Sequence, residues 1–294
     1  MRLHLLKLYP DLLPFPGNDV SATILGWQGK QYGWSVQVDT LEQGAPWPDQ
    51  PYDVILLGSS FTHISSDLLE ALSAVRSKLH AQVQSGALLL VSGISTCLIT
   101  RTVELPGENA GDGLLEVDGL HFLEGRSRLI APVKSGWIVV RSPFVPHLVV
   151  GELYRHCMFS AKTAEEGGPF GEITAAMRIL DNGDHKEKKG RSEPFFKLRP
   201  RKVLSGASLS HSTDDQDSLK WRRFGWVRPY GRGMIIALPW VGAYLSYNPH
   251  LVTYLLSIVS TVQGGPAELP AIDAGFSWEA YHHILKRMGL SETV

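Results

Sequence analysis

The stretch of residues 52–93 reads YDVILLGSSFTHISSDLLEALSAVRSKLHAQVQSGALLLVSG and indicates the fold class of the chain. Residues 52–58 are a short apolar run that ends in glycine, which is typical of a buried strand. Residues 66–84 then carry apolar side chains at helical spacing, with an acidic residue in the first turn. A Ser-Gly pair ends this helix, and residues 87–91 form a second apolar run. A strand, a helix and a strand of these lengths predict a parallel crossover unit that is covered on both faces.

The same alternation continues in both directions from this unit. Towards the N-terminus, two predicted strands at 3–8 and 34–38 surround a predicted helix at 20–32. Towards the C-terminus, a predicted strand at 233–238 precedes predicted helices at 249–262 and 278–288. We therefore predict an α/β fold with an open, mostly parallel sheet flanked by helices. In such sheets ligands bind beyond the carboxyl ends of the strands. Here these tips are predicted at residues 8–19, 58–63, 92–96 and 240–248.

The middle of the chain is less regular. Residues 115–150 contain several short strand-like pieces. From about residue 181 to 221 the composition becomes polar and charged and poor in aliphatic residues, which predicts an insertion or flexible loops. We expect a single domain over residues 1–294 that carries this insertion.

Charge, cysteine content and hydropathy exclude several classes of protein. Lys and Arg total 28 and Asp and Glu total 29, so the net charge is −1 and no nucleic-acid partner is expected. Two cysteines exclude a disulfide scaffold. The N-terminal apolar run is interrupted by Lys7, Pro10 and Asp11 and does not resemble a secretory signal, and no stretch is long enough to span a membrane. We expect a cytoplasmic protein with no membrane association and no cofactor.

Four segments carry a family resemblance. Residues 8–38, LYPDLLPFPGNDVSATILGWQGKQYGWSVQV, precede YDVILLGSS at 52–60, GALLLVSGIST at 86–96 and ALPWVGAYLSYNPHLVTYLL at 237–256. Together they resemble the class I glutamine amidotransferases of the cobyric acid synthase group, and especially the amidotransferase subunits of lipid II isoglutaminyl synthase. That family opens with a pattern close to LYPDLLNLYGDRGN. The resemblance implies a flavodoxin-like fold and a site at the carboxyl edge of the sheet.

The resemblance also indicates what stands at each catalytic position. Ser92 occupies the position of the family's nucleophilic Cys, and Cys97 lies five residues later in the predicted helix. Val241 occupies the position of the family's basic His, and valine cannot accept a proton. Asn18 falls at the position of a family carboxylate. Loss of both nucleophile and base predicts that the glutaminase activity has been lost.

Further residues at the strand tips are candidates for ligand binding. Gly58, Ser59 and Ser60 align with the family's glycine-rich oxyanion loop, with one glycine where the family usually has two or three. Gly93 follows Ser92 in the turn. Trp240 is expected at the mouth of the former active site, where it would fill the glutamine pocket or stack on a ligand.

Two other groups of residues are weaker candidates. A replacement base for Ser92 could come from a histidine brought close by the fold, namely His63, His121, His147 or His156. The run of residues 154–157 combines His and Cys, but no partner cluster for a metal is visible in the sequence, and no metal site is expected.

Three functions follow from this reading. The first is a noncatalytic subunit that holds a synthetase-like or ligase-like partner or binds an amino-acid-like ligand. The second is an active hydrolase or amidotransferase that uses Ser92 as its nucleophile, which requires a His or Lys beside it. The third is a carbohydrate-associated, sugar-binding module of amidotransferase-like fold, which requires exposed aromatic side chains around the carboxyl edge. A symmetric homodimer is the general expectation for the oligomeric state.

Overall fold

The computed structural model of the chain describes residues 1–15, 17–61, 63–106, 113–129, 136–153, 157–160, 167–178 and 223–291. The α-helices in these ranges are α1 (Asn18–Gln31), α2 (Ser66–Ser85), α3 (Pro249–Val262) and α4 (Phe276–Arg287). The strands are β1 (Arg2–Leu8), β2 (Ser35–Leu41), β3 (Val54–Leu57), β4 (Leu88–Ser92), β5 (Thr100–Pro106), β6 (Leu114–Asp118), β7 (Leu123–Leu129), β8 (Gly136–Arg141), β9 (Val149–Leu153), β10 (Cys157–Ser160), β11 (Gly171–Arg178), β12 (Arg223–Phe224), β13 (Trp226–Tyr230), β14 (Gly233–Leu238) and β15 (Trp240–Val241). Two 3-10 helices, Gly93–Ile99 and Tyr244–Tyr247, follow β4 and β15.

The central sheet has six strands in the order β13-β14-β4-β3-β1-β2. The strands from β14 to β2 pair in parallel, and β13 pairs antiparallel with β14 at one edge. The predicted α/β class with a mostly parallel sheet is therefore confirmed.

Both faces of the central sheet are covered, because successive side chains of a strand point to opposite faces. In β4, Leu89 and Val91 join the core cluster that contains α2, whereas Leu88 and Leu90 join the cluster that contains α1 and α3. All residues of β3 and β4 are buried. This two-sided burial explains why these strands are almost continuously apolar in the sequence.

Helix α2 forms where the sequence pattern predicts it. The Ser65 side chain caps its start by accepting a hydrogen bond from the Leu68 amide at 3.2 Å, and Gly86 with φ +131° ends it. One face of the helix is buried against the sheet, and each of these apolar side chains contributes about 1.5–3 kcal/mol by leaving water. The buried residues are Leu68, Leu72, Val75, Leu79 and Val83.

Two further sheets add to the central one. A four-stranded sheet has the order β10-β7-β5-β6 and shares a core cluster with α2, and a five-stranded antiparallel sheet has the order β12-β11-β8-β9-β15 and shares a core cluster with α1 and α3. The sequence indicated strand-like pieces in this region but not how they pair. Pairing partners in antiparallel sheets are chosen by register between segments, which a single segment does not reveal.

The helix expected after β4 is not an α-helix. The structure has a seven-residue 3-10 helix there, Gly93–Ile99, and β5 starts at the next residue. All seven residues are buried, so this segment has no polar face to turn towards solvent. Cys97 lies inside it and donates a hydrogen bond from its thiol to the carbonyl oxygen of Ile94 at 2.9 Å.

Two expectations lie wholly or partly outside the described residues. The polar segment predicted at 181–221 falls within residues 179–222, which are not described. Of the helices that are described, none combines the length and the apolar character that crossing a membrane requires.

Candidate functional site

A cleft lies where the sequence predicts a ligand site, beyond the carboxyl ends of β1, β3 and β4. Its polar lining includes Lys7, Asn18, Asp19 and Ser92, and Gly242 closes it from the loop after β15. The cavity volume is about 20 Å3, which is room for about one water molecule. The enclosed part of the cleft is therefore smaller than an amino acid such as glutamine, and the rest of it is open to solvent.

The turn after β4 lies one residue further along the chain than the sequence predicts. A nucleophile elbow places its reactive residue on the sharp, strained turn between a strand and the following helix. Here Ser92 has extended backbone angles, φ −120° and ψ 153°, and Gly93 has the positive φ of +58°. The prediction that Ser92 stands in the turn is therefore corrected: Ser92 ends β4, and the residue with the left-handed backbone of the turn is Gly93, which has no side chain.

The space beside Gly93 is filled by other residues. A Cβ atom added to Gly93 would lie 2.2 Å from Ser59 Oγ and 3.0 Å from Val241 Cγ1. The first distance is impossible unless Ser59 moves, and the second is tighter than most real contacts of a Cβ atom. A larger residue at this turn would therefore have to displace the Ser59 side chain.

Ser92 forms a hydrogen bond with Tyr244. The Ser92 Oγ and Tyr244 Oη atoms are 3.0 Å apart, and Tyr244 is fully buried. Burial raises the pKa of the Tyr244 phenol, so the group stays protonated at neutral pH and does not act as a base. Ser92 thus lies in the cleft wall beside a neutral phenol.

Lys7 is the basic side chain that lines the cleft. Its Nζ atom lies 2.7 Å from Asp19 Oδ1, in an ion pair whose acidic partner is exposed to solvent. The pair places one positive and one negative charge at the rim of the cleft. It ties the end of β1 to the first turn of α1.

The predicted oxyanion loop is occupied by its own hydrogen bonds. An oxyanion hole needs backbone N–H groups that point freely at the reacting oxygen. The amide of Ser59 donates to Asn18 Oδ1 at 3.0 Å, and the amide of Ile94, which follows the turn, donates to Ser59 Oγ at 3.2 Å. Ser59 is fully buried, and its hydroxyl also donates to the Ser60 carbonyl oxygen at 2.8 Å. The expectation that Ser59 contacts a ligand is therefore wrong, because its polar groups are satisfied inside the protein.

The neighbours of Ser59 in this loop serve the same internal network. The Ser60 hydroxyl donates to the carbonyl oxygen of His63. Gly58 lies against Asn18, since a Cβ atom at Gly58 would be 2.6 Å from the Asn18 Cγ atom. The loop is thus packed onto the start of α1.

The Asn18 side chain holds two loops together through hydrogen bonds, at the position where the resembling family has a carboxylate. Its Nδ2 atom donates to the carbonyl oxygens of Leu13 at 2.6 Å and of Ser59 at 2.8 Å. Together with the bond that its Oδ1 atom accepts from Ser59, the amide joins the loops after β1 and β3. These bonds need both donors and an acceptor on one side chain. An amide has both, whereas an ionised carboxylate can only accept hydrogen bonds.

Trp240 is not at the mouth of the cleft, and this prediction is wrong. The side chain is fully buried and packs between the five-stranded sheet and the central sheet. Its ring centroid lies 4.6 Å from that of Phe224 and 5.6 Å from that of Tyr244. Trp240 precedes the loop that lines the cleft, but its side chain points into the core. Neighbouring residues of β15 point to opposite faces of the sheet, so closeness in the chain does not place a side chain in the cleft. Val241, the next residue, is also buried and packs beside Gly93.

Two of the four histidines proposed as replacement bases have surroundings away from Ser92. His121 contacts Arg76 and Asp118, and His147 packs against the rings of His250 and Trp278. His156 lies outside the described residues, as does most of the His-Cys run at 154–157. Within the described part of the chain, no three His, Cys, Asp or Glu residues are grouped closely enough to hold a metal ion.

Sequence reasoning missed the roles of Lys7, Asp19 and Tyr244. In the sequence, Lys7 is a charged residue that interrupts an apolar strand. That interruption is the signal that could have indicated a polar position at the end of the strand. Nothing in the sequence connects Tyr244 with Ser92, which precedes it by 152 residues.

No family model and no curated protein matches the chain. Three solved structures show what it is similar to. A beta-galactosidase from Bacillus circulans sp. alkalophilus is 8% identical with a TM-score of 0.41, over 90% of this chain and 32% of that chain. A ThuA-like protein from Parabacteroides merdae is 10% identical with a TM-score of 0.41, over 92% of this chain and 93% of the other. A ThuA-like protein from Bacteroides uniformis is 8% identical with a TM-score of 0.38, over 90% and 94% of the two chains. The chain thus spans about a third of the galactosidase, 32% of its length.

Proposed function

We propose that the chain is a noncatalytic protein with a class I glutamine amidotransferase-like, flavodoxin-like fold, and that it acts as a partner subunit or a ligand-binding subunit. The observation that carries the proposal is the turn after β4, where Gly93 has the positive φ of an elbow residue and has no side chain. A covalent mechanism needs a nucleophile at that point. Ser59 and Val241 fill the space instead.

The hydrogen bonds around the turn support the same proposal. The Ile94 amide, which would stabilise an oxyanion if Gly93 were the reactive residue, already donates to Ser59 Oγ. The Ser59 amide already donates to Asn18. Productive chemistry would require both bonds to break before any reacting oxygen could be bound. The partner in this proposal is a synthetase-like or ligase-like subunit, as the family resemblance implies, and the ligand is amino-acid-like.

The hydrolase alternative depends on Ser92. Its hydroxyl lines the cleft, but its hydrogen-bond partner is a buried phenol whose pKa is raised. A serine becomes a nucleophile when a base takes its proton. Lys7 also lines the cleft, and its amine is paired with Asp19. An active enzyme would have to release Lys7 from that pair and bring its amine to Ser92.

One observation favours the sugar-binding alternative. Phe15 and Phe61 lie in the loops after β1 and β3, with ring centroids 4.8 Å apart, and Phe61 is 46% exposed. These loops lie at the carboxyl edge of the sheet. Exposed aromatic faces at this edge are the feature that a sugar-binding module requires.

The experiment that tests the proposal is ammonia release from glutamine. The purified chain is assayed alone and with any subunit that co-purifies, beside a Ser92→Ala variant and an active glutaminase as positive control. We expect both the wild type and Ser92→Ala to release no more ammonia than buffer. Ser92 contributes only a hydrogen bond to Tyr244, so both proteins should also have the same near-ultraviolet circular dichroism.

Ammonia release that disappears in Ser92→Ala would overturn the noncatalytic proposal and identify Ser92 as a nucleophile. Absence of release, combined with oligosaccharide binding that is lost in Phe61→Ala, would favour the sugar-binding module over the partner subunit.

A further inference from the structure

A second group of polar and aromatic side chains lies on the five-stranded sheet, away from the cleft lining. Glu152 of β9 is directly opposite Trp137 of β8 on one side and Val241 of β15 on the other. Residues directly opposite each other in antiparallel strands have side chains on the same face, with Cβ atoms about 4.5–5.5 Å apart. The Glu152 side chain is therefore flanked by the Trp137 ring system and by Val241.

An aromatic side chain from another element completes this group. Tyr247, the last residue of the second 3-10 helix, packs edge-on against Trp137 with ring centroids 5.2 Å apart and an interplanar angle of 62°. Burial raises the pKa of the Tyr247 phenol, and the negative charge of Glu152 raises it further. Trp137, Glu152 and Tyr247 are each partly exposed to solvent, so a ligand can reach them.

The carboxyl group of Glu152 is partly buried and is not compensated by any residue in the described ranges. Among the residues that the structure describes, none forms a hydrogen bond or an ion pair with its carboxyl group. Burial raises the pKa of Glu152, and no positive charge in the described part of the chain opposes that effect. A partly desolvated carboxylate without a partner is unfavourable, and proteins usually pair such a group with a cation.

The chemistry that fits this group is a positive charge with apolar surroundings. The carboxylate attracts a cation, and the faces of a Trp and a Tyr ring favour one that carries alkyl groups. We propose that Trp137, Glu152 and Tyr247 form a binding site for an alkylammonium group. A neutral sugar would bind more weakly here. Its hydroxyl groups can donate hydrogen bonds to the carboxylate, but they leave the negative charge of the carboxylate uncompensated.

This site is independent of the proposed function. Its residues do not line the cleft between β1, β3 and β4, and its test does not depend on whether the chain releases ammonia. The two regions are connected by Val241, which lies beside Glu152 in the sheet and also packs against Gly93.

The test uses tetramethylammonium and methylammonium as probes. Each is titrated into the full chain while the Trp137 indole N–H signal is followed by nuclear magnetic resonance, and tert-butyl alcohol serves as a neutral probe of similar size. Glu152→Gln keeps the shape of the side chain and removes its charge. We expect this variant to weaken tetramethylammonium binding about tenfold, since it removes the ion pair and leaves only the contacts with the rings.

Glu70→Gln is the matched control, because Glu70 is exposed on α2 and its change alters the net charge equally. This variant should bind as the wild type does. Trp137→Leu lacks the indole signal, so its binding of both probes is compared with the wild type by isothermal titration calorimetry. It should weaken the binding of tetramethylammonium more than that of methylammonium, since tetramethylammonium presents more alkyl groups to the ring. An unchanged melting temperature shows that each variant is folded.

Three results would overturn the proposal. They are equal binding by the wild type and Glu152→Gln, equal weakening by Glu70→Gln, and binding of tert-butyl alcohol as strong as that of tetramethylammonium. The last would identify an apolar pocket without charge selectivity.

Discussion

Single residues hold the loops around the cleft together. The Asn18 side chain donates a hydrogen bond to the Ser59 carbonyl oxygen and accepts one from the Ser59 amide. The Ser59 hydroxyl in turn accepts a hydrogen bond from the Ile94 amide. A buried group that is fully hydrogen-bonded stabilises the protein, whereas the same group left without a partner costs about 1–3 kcal/mol. The hydrogen bonds of Asn18 and Ser59 therefore contribute to the stability of the loops after β1 and β3.

This view predicts the outcome of restoring the family's carboxylate. Asn18→Asp would place a carboxylate oxygen against the carbonyl oxygens of Leu13 and Ser59, where the amide now donates. We expect a loss of about 2–3 kcal/mol in the free energy of unfolding, because two hydrogen bonds become repulsive contacts. Urea unfolding at pH 7 measures it. At pH values where the new Asp is protonated, it regains one donor and the loss should shrink.

Asp19→Asn is the neighbouring control for that variant. It removes the Lys7 ion pair, whose Asp19 side chain is 75% exposed, and surface pairs contribute little. If Asn18→Asp were as stable as Asp19→Asn, the bracing role of Asn18 would be wrong.

Among the elements, the contact between α3 and α4 depends on a buried histidine. His250 lies at the start of α3 and is 7% exposed, and its ring packs against Trp278 and Tyr281 of α4. Burial, together with the nearby His147, lowers the pKa of His250 to about 3. The docked helices therefore hold this residue in its neutral form.

The lowered pKa of His250 predicts how stability changes with pH. The unfolded chain protonates His250 below its ordinary pKa of about 6.5, while the folded chain does so only near pH 3. Between these values the unfolded state binds more protons, so the free energy of unfolding falls as pH falls, by about 1 kcal/mol per pH unit from this residue. His250→Phe should lessen the dependence between pH 6 and pH 4 by that amount in urea unfolding.

The exposed residue His283 on α4 provides the control for this measurement. His283→Phe should keep the slope of the wild type. If His250→Phe kept it as well, His250 would have to be accessible to protons in the folded state, and α4 would not be docked as described.

Across the whole molecule, the five-stranded sheet and the central sheet share one core. Ile138 and Val140 of β8 and Trp240 of β15 belong to the same cluster as Leu88 and Leu90 of β4. Trp240 sits at this junction against Gly151, where a Cβ atom would lie 2.3 Å from the Trp240 Cδ1 atom. A shared core is the physical basis for expecting the two sheets to unfold together.

Gly151→Ala tests whether the sheets act as one unit. The added methyl group must displace Trp240, and overpacking of this kind costs about 1–3 kcal/mol. We expect the urea midpoints measured by far-ultraviolet circular dichroism and by Trp fluorescence to fall together. Gly168→Ala, where a Cβ atom would meet nothing within 4 Å, should leave both midpoints unchanged. Separate midpoints in Gly151→Ala would mean that the sheets unfold independently.

The repeated strand and helix pattern was readable from the sequence because burial is encoded locally. The runs that became β3 and β4 are apolar since both faces are covered, and the spacing in α2 follows its single buried face. The residue types at 92 and 241 also indicated without any structure that the Cys and His of the resembling family are missing. These inferences need only the chemistry of a segment and its immediate neighbours.

The details of the site depend on segments that are distant in the chain. Which residue carries the sharp turn, Gly93 rather than Ser92, follows from how β4 and the buried 3-10 helix pack. The contact of Gly93 with Ser59 and Val241, and the placement of Glu152 beside Trp137, arise from register between strands. A shift of one residue in that register turns each side chain to the opposite face. The packing of the complete core selects the register, and one segment of sequence does not reveal it. The sequence therefore places Trp240 in the cleft, whereas the structure places it in the core.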